Sequence, residues 1–219
     1  MAAIVTDQFR ILNAGNFVDS VTDTSNSYYV FVGLSNPNGG GYGKLTGTTW
    51  DTATPNPIDN FDYQSFVGDN MSFGKRVTSA NVKRLARRIN WTRGTKYEMY
   101  RHDYSLTNLS PVTGSSRLYD ANYYVINSEY KVYICVDNGS SGISSSPNAS
   151  LNEPTFTDVE PSKAGDGADG YTWKYLYTVS PSDIIKFDST EYITLPSDWS
   201  TTSDAQITAV RNNGDSGVN

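Results

Sequence analysis

The sequence predicts a mainly β fold, β-rich α+β, with one or two short helices and long loops. Three observations carry that expectation. Runs rich in aromatic and β-branched residues recur as "SYYVFVGLS", "NYYVINSEYKVYICVDN" and "DGYTWKYLYTVSP", which is strand composition. Two long stretches, 36–60 and 137–170, are dominated by Gly, Pro, Asn, Ser and Thr and read as loops. Strands do not alternate regularly with helical patterns, so a parallel βαβ sheet is not expected. No internal repeat and no linker separates a second core, so residues 1–219 are expected to form one domain.

Asn13 to Val21 places Ala14, Phe17, Val18 and Val21 at the spacing of one helical face, predicting a short helix with Asn13 as its cap. Tyr28 to Leu34 is continuously apolar or aromatic and reads as a buried strand. The segment 36–60 contains Pro37, Pro55 and Pro57 with Gly39, Gly40 and Gly41. A long loop of this kind in a compact domain is often a contact surface. In "SANVKRLARRI", Ser79 to Ile89, an apolar stripe of Val82, Leu85, Ala86 and Ile89 faces away from Lys83, Arg84, Arg87 and Arg88, which predicts an amphipathic helix. A turn is expected at Arg93-Gly94. A hairpin follows, from Tyr123–Ile126 through Asn127-Ser128 to Tyr130–Val136.

Near the end of the chain, Tyr171, Trp173, Tyr175 and Tyr177 fall at every second position. On a strand, such residues share a face. Four consecutive rings on one face predict a layer packed against protein, in the core or at a subunit interface, because each such ring buries about 150–250 Å². A final strand is expected at Glu191–Pro196.

The formal net charge is −6, but it is unevenly spread. Between Met71 and Tyr97 there are eight basic residues and no acid, and the remainder carries a net −14. A basic island in an acidic chain fits docking to an acidic protein neighbour or self-association. It does not fit nucleic acid, since the basic segment lacks interleaved aromatics and the remaining acids would repel a phosphate backbone. No run of about 18 apolar residues is present, so no membrane insertion is expected. "MAAIVTDQFR" has neither a basic nor an apolar leader region, so no signal peptide is expected. Cys135 is the single cysteine, which excludes an internal disulfide and is compatible with a reducing cytosol.

Catalytic signals are weak. His102, the one histidine, is adjacent to Asp103, and neighbours on a strand point to opposite faces. No Gly-x-Ser-x-Gly elbow is present. The acids Asp158, Glu160, Asp166 and Asp169 do not have the spacing of an EF-hand loop, and a solvated turn is the expected reading. No catalytic, cofactor or metal residue is therefore assigned. The candidate interface residues are Lys83, Arg84, Arg87, Arg88, Tyr171, Trp173, Tyr175 and Tyr177.

Five segments in series, "AIVTDQFR", "SYYVFVGLS", "RRINWTRGTKYEMYRHDYS", "NYYVINSEYKVYICVDN" and "DGYTWKYLYTVSP…EYITLP", resemble the T4-type bacteriophage baseplate wedge subunit, the gene product eight family, and its cyanophage and marine-phage relatives. The resemblance implies stacked antiparallel β layers or a β-sandwich, a homodimer, and a structural role in the virion. There the chain would link neighbouring baseplate wedge proteins and tail-fibre attachment proteins after assembly in the host bacterial cytoplasm. Members run well beyond this length, so the chain would correspond to the N-terminal part of a longer protein or to a shortened relative. The family implies no enzyme activity. Two other readings stay open at this point: a carbohydrate-binding tail adhesin that stacks Tyr171, Trp173 and Tyr175 on sugar, and a phage hydrolase with a carboxylate pair in a cleft.

Overall fold

A computed structural model describes residues 7–33, 65, 68–69, 71–142 and 145–196. The chain falls into two compact units, Met1–Val82 and Lys83–Asn219. Among the described residues there are eight strands in antiparallel sheets and two α-helices, so the fold is β-rich α+β as the composition predicted. No described helix is long and apolar enough to cross a membrane. The long loop expected at 36–60 lies outside the described residues.

The first unit contains α1 (Asp7–Thr22), β1 (Tyr28–Gly33), β2 (Met71–Val77) and a 3₁₀ turn at Ser79–Asn81. The helix begins well before Asn13, so that residue lies in its interior and is not a cap. β1 and β2 form an antiparallel ribbon pairing Tyr28 with Val77, Val30 with Lys75 and Val32 with Phe73. Position 28 onward is a strand, as expected, but not a buried one: Tyr29, Val30, Phe31 and Val32 are all exposed. Among the described residues no third strand joins the ribbon.

The second unit is built on a four-stranded sheet in the order β4 (Tyr124–Ile126), β5 (Lys131–Asn138), β7 (Tyr171–Thr178), β6 (Ser162–Lys163). The expected hairpin is present as β4–β5, pairing Val125 with Tyr133 and Ile126 with Val132, and its turn is longer than Asn127-Ser128, with Asn127 N donating to Lys131 O at 2.9 Å. Tyr130 at its turn takes φ 58°, in the left-handed region, and Gly94 at the predicted Arg93-Gly94 turn takes φ 82°, where glycine pays no steric cost.

The ring ladder does not stay on one face. Val132 pairs with Tyr177 while its neighbour Tyr133 pairs with Tyr175, so Leu176 is an extra residue in β7. Such a bulge reverses the alternation of everything beyond it. Tyr171 and Trp173 therefore join Tyr97, Val125, Tyr133, Cys135 and Ala164 in one cluster, with Tyr175 packed against it. Tyr177 joins Ile126, Val132, Val179 and Ile193 in a second cluster. Each face of the sheet thus has its own core.

Ser79 to Ile89 is not a helix. Only Ser79–Asn81 makes a 3₁₀ turn, and Leu85–Arg87 is β3, paired antiparallel with β8 (Tyr192–Thr194). Backbone bonding to distant segments overrides the local helical pattern. Leu195 N donates to Arg84 O at 2.8 Å and Arg88 N donates to Glu191 O at 2.7 Å. Farther on, Ile126 N donates to Ile89 O at 2.8 Å. Ala86 packs against the second cluster and Ile89 against the first, while Leu85 is exposed, so the supposed stripe does not face one core. Between β7 and β8, α2 (Pro181–Phe187) is capped by Ser180, whose Oγ accepts from Asp183 N at 3.2 Å, with proline at the first helical position. That is the favoured start of a short helix.

Candidate protein-interaction surface

Alternation along the ribbon puts Tyr28, Val30 and Val32 on one face together with their partners Val77, Lys75 and Phe73. Phe17 of α1 meets Tyr28 edge-on at 5.8 Å between ring centroids, and Ser20 Oγ lies 2.6 Å from the Tyr28 hydroxyl. Between Phe17 and this face lies a groove of 660 Å³. On the opposite face Tyr29 and Phe31 stack at 6.5 Å, and the Phe31 ring lies over Gly74, where a Cβ would fall 2.5 Å from the ring. The missing side chain makes room for the ring.

Phe73 is 76% exposed and Val32 60%. Phe9, Ile11, Leu12 and Phe17 on α1 are exposed as well. Among the described residues of the first unit, Val21 is the one buried apolar side chain. A two-stranded ribbon is marginal alone in water, and this many exposed apolar side chains make the unit a candidate contact surface. Lys75 and Arg76 are exposed within it, and among the described residues no carboxylate lines the groove.

The basic residues expected to make an interface are largely occupied within the second unit. Lys83 Nζ is 3.2 Å from Asp183 of α2. Arg87 donates from Nη2 to the carbonyls of Tyr119 and Ala121, both at 3.3 Å. Arg88 Nη1 donates to both carboxylate oxygens of Asp188 at 2.7 Å, and Nε donates to Asn90 Oδ1 at 2.8 Å. Arg84 is exposed. Guanidinium and ammonium groups drawn from a supposed helix face instead hold β3 to its surroundings.

Tyr171 and Trp173 are 0% exposed. They stack on each other at 5.4 Å, and Tyr97 meets Trp173 edge-on at 5.7 Å. Both are core residues, which is the first of the two placements expected for the ladder, and neither ring is open to stack on a sugar. Tyr177 is also buried and Tyr175 is partly exposed. The tyrosine hydroxyls satisfy backbone that the loops would otherwise leave unpaired. Tyr171 Oη accepts from Tyr97 N at 2.9 Å and donates to Asn148 O at 2.8 Å. Tyr133 Oη donates to Phe156 O at 2.7 Å, and Tyr177 Oη to Thr194 O at 2.8 Å. Buried backbone groups need such partners, which is why this core uses tyrosine where phenylalanine would fill the same space. Burial pushes the hydroxyls of Tyr133, Tyr171 and Tyr177 well above their ordinary pKa.

Polar groups weighed for chemistry have local duties. Asp103 accepts from Arg101 Nε and Nη2, both at 2.9 Å, and from Asn108 Nδ2 at 2.8 Å; the Arg101 bonds hold its carboxyl below the usual range. His102 beside it is exposed. Asp169 is buried, with Leu151 N donating to it at 2.7 Å and Tyr171 N at 3.0 Å. Asp166 accepts from Ala168 N at 3.1 Å and Asn152 Nδ2 at 2.9 Å, which lowers its pKa. Asp158 and Glu160 are exposed. Among the described residues no group of three His, Cys, Asp or Glu is placed to hold a metal ion. Burial pushes the Cys135 thiol up, away from the thiolate that reactivity requires.

The exposed apolar surface has a signature in the residue order. An unbroken apolar run such as "YVFV" asks for cover on both faces, and the described unit does not supply it. No protein-family model matches the chain, and no curated protein matches it at a significant level.

Proposed function

We propose that this chain is a non-enzymatic structural subunit whose work is to hold other proteins in a fixed arrangement. The observation that carries the reading is the open apolar ribbon and helix of the first unit, a surface that water disfavours and a protein partner would cover. A sheet with a core on each face, its loops tied down by tyrosine hydroxyls, suits a part that must resist load.

The setting we propose is the baseplate wedge of a contractile-tailed bacteriophage, with the chain joining neighbouring wedge subunits and tail-fibre attachment proteins in the virion. That setting rests on the five sequence segments named above. Co-expression with the other wedge proteins of one phage, followed by size-exclusion chromatography with light scattering, tests it. The chain is expected to co-elute in a complex of defined mass. Elution of the chain alone, with every other wedge protein present and folded, would overturn the proposal.

A further inference from the structure

From the chemistry of the ribbon groove we infer that it takes an extended segment of a partner protein in which apolar and acidic residues alternate. The inference deepens the assembly reading and rests on it, but names a ligand chemistry that stands or falls without a phage setting. The floor is strand, so its apolar side chains repeat about every 6.8 Å along one face, the spacing at which an extended segment presents its own alternate residues. The groove volume of 660 Å³ has room for several aliphatic side chains.

Charge selects the kind of segment. Lys75 stands opposite Val30 on the groove face, Arg76 adjoins it at the rim, and both are exposed. Among the described residues the lining contains these two cations and no anion. Apolar contact with Val30, Val32 and Phe73 supplies attraction to any strand with an apolar face. The two cations then favour an acidic outer row and repel a basic one, which affects specificity more than strength.

The test is fluorescence anisotropy on the full chain with two labelled decapeptides, one alternating Val and Glu, the other Val and Lys. The Val/Glu peptide is expected to bind saturably and about tenfold more tightly than the Val/Lys peptide, with the difference shrinking as salt rises. Phe73→Ser should weaken both peptides, and the double variant Lys75→Glu, Arg76→Glu should reverse the preference. These side chains are exposed, and an unchanged circular dichroism spectrum checks that each variant remains folded. No binding of either peptide, equal binding of both, or an unreversed preference overturns the inference. So does a dimer in light scattering that Phe73→Ser dissociates and neither peptide competes with, since a second copy would then occupy the groove. Co-elution with wedge proteins without peptide binding would sink this inference alone; peptide binding without co-elution would sink the phage setting alone.

Discussion

Arg88 and Asp188 lie 100 residues apart in sequence, yet one guanidinium nitrogen of Arg88 donates to both oxygens of the Asp188 carboxylate at 2.7 Å. The pair is mostly shielded, with side-chain exposures of 16% and 13%. It fastens the end of β3 to the chain just beyond α2, and Arg88 Nη1 also reaches Ser189 O at 3.3 Å.

Reversing charge along this segment therefore has two separable outcomes. Arg88→Glu places two carboxylates together and removes bonds to a charged acceptor, so it should destabilise the fold by about 2–4 kcal/mol. Arg84→Glu, at an exposed position, should change stability by less than about 0.5 kcal/mol. Chemical denaturation of both variants checks this. Equal stability of the two would break the argument.

Tyr171→Phe retains the stacked ring but removes the hydroxyl that pairs Tyr97 N and Asn148 O. Leaving buried backbone groups unpaired costs about 1–3 kcal/mol. A lower thermal midpoint is expected, with little change in the secondary-structure spectrum. An unaltered midpoint would mean that the hydroxyl is not needed to satisfy that backbone.

Gly139 and Gly170 meet at the neck of the loop that follows β5. A Cβ on Gly170 would come within 2.8 Å of Gly139 Cα, and both residues have positive φ, 68° and 81°. The obstruction is backbone and cannot swing aside. Gly170→Ala should therefore destabilise by about 1–3 kcal/mol, whereas Gly114→Ala, where φ is 68° but nothing lies within 4 Å, should cost less. Urea unfolding of the two variants gives the comparison, and a smaller loss at Gly170 would contradict it.

Alkaline pH should unfold the protein. Burial, reinforced by Glu98, pushes the Tyr104 hydroxyl up to about 12, and burial raises Tyr133, Tyr171 and Tyr177 further. In the unfolded chain these groups ionise near pH 10.0. Above that pH the folded state holds protons that the unfolded state has released, so their contribution to stability is complete below pH 10 and declines as pH rises. Tyrosinate absorbance near 295 nm should show a late set of hydroxyls appearing together with loss of the near-ultraviolet dichroism. Ionisation of every tyrosine near pH 10 with the fold retained would contradict the burial.

Features that depend on neighbours along the chain were legible in the residue order. Alternation and turn chemistry located the β4–β5 hairpin, the Arg93-Gly94 turn and the strand at Tyr171, because a strand's side-chain period and a glycine's backbone freedom are local properties. The run from Tyr28 was likewise legible as a strand, though not its exposure. Tertiary structure decided the rest. Residues 83–89 carry a helical spacing, but β8 and Ile126 claim their backbone, and hydrogen-bond partners that distant cannot be read from a local period. One extra residue, Leu176, sends Tyr177 to a different core from Trp173, since a sheet's faces are set by register with a partner strand. Whether an apolar strand is covered or open depends on which surfaces meet it in space, and that left Val30, Val32 and Phe73 as the candidate contact surface.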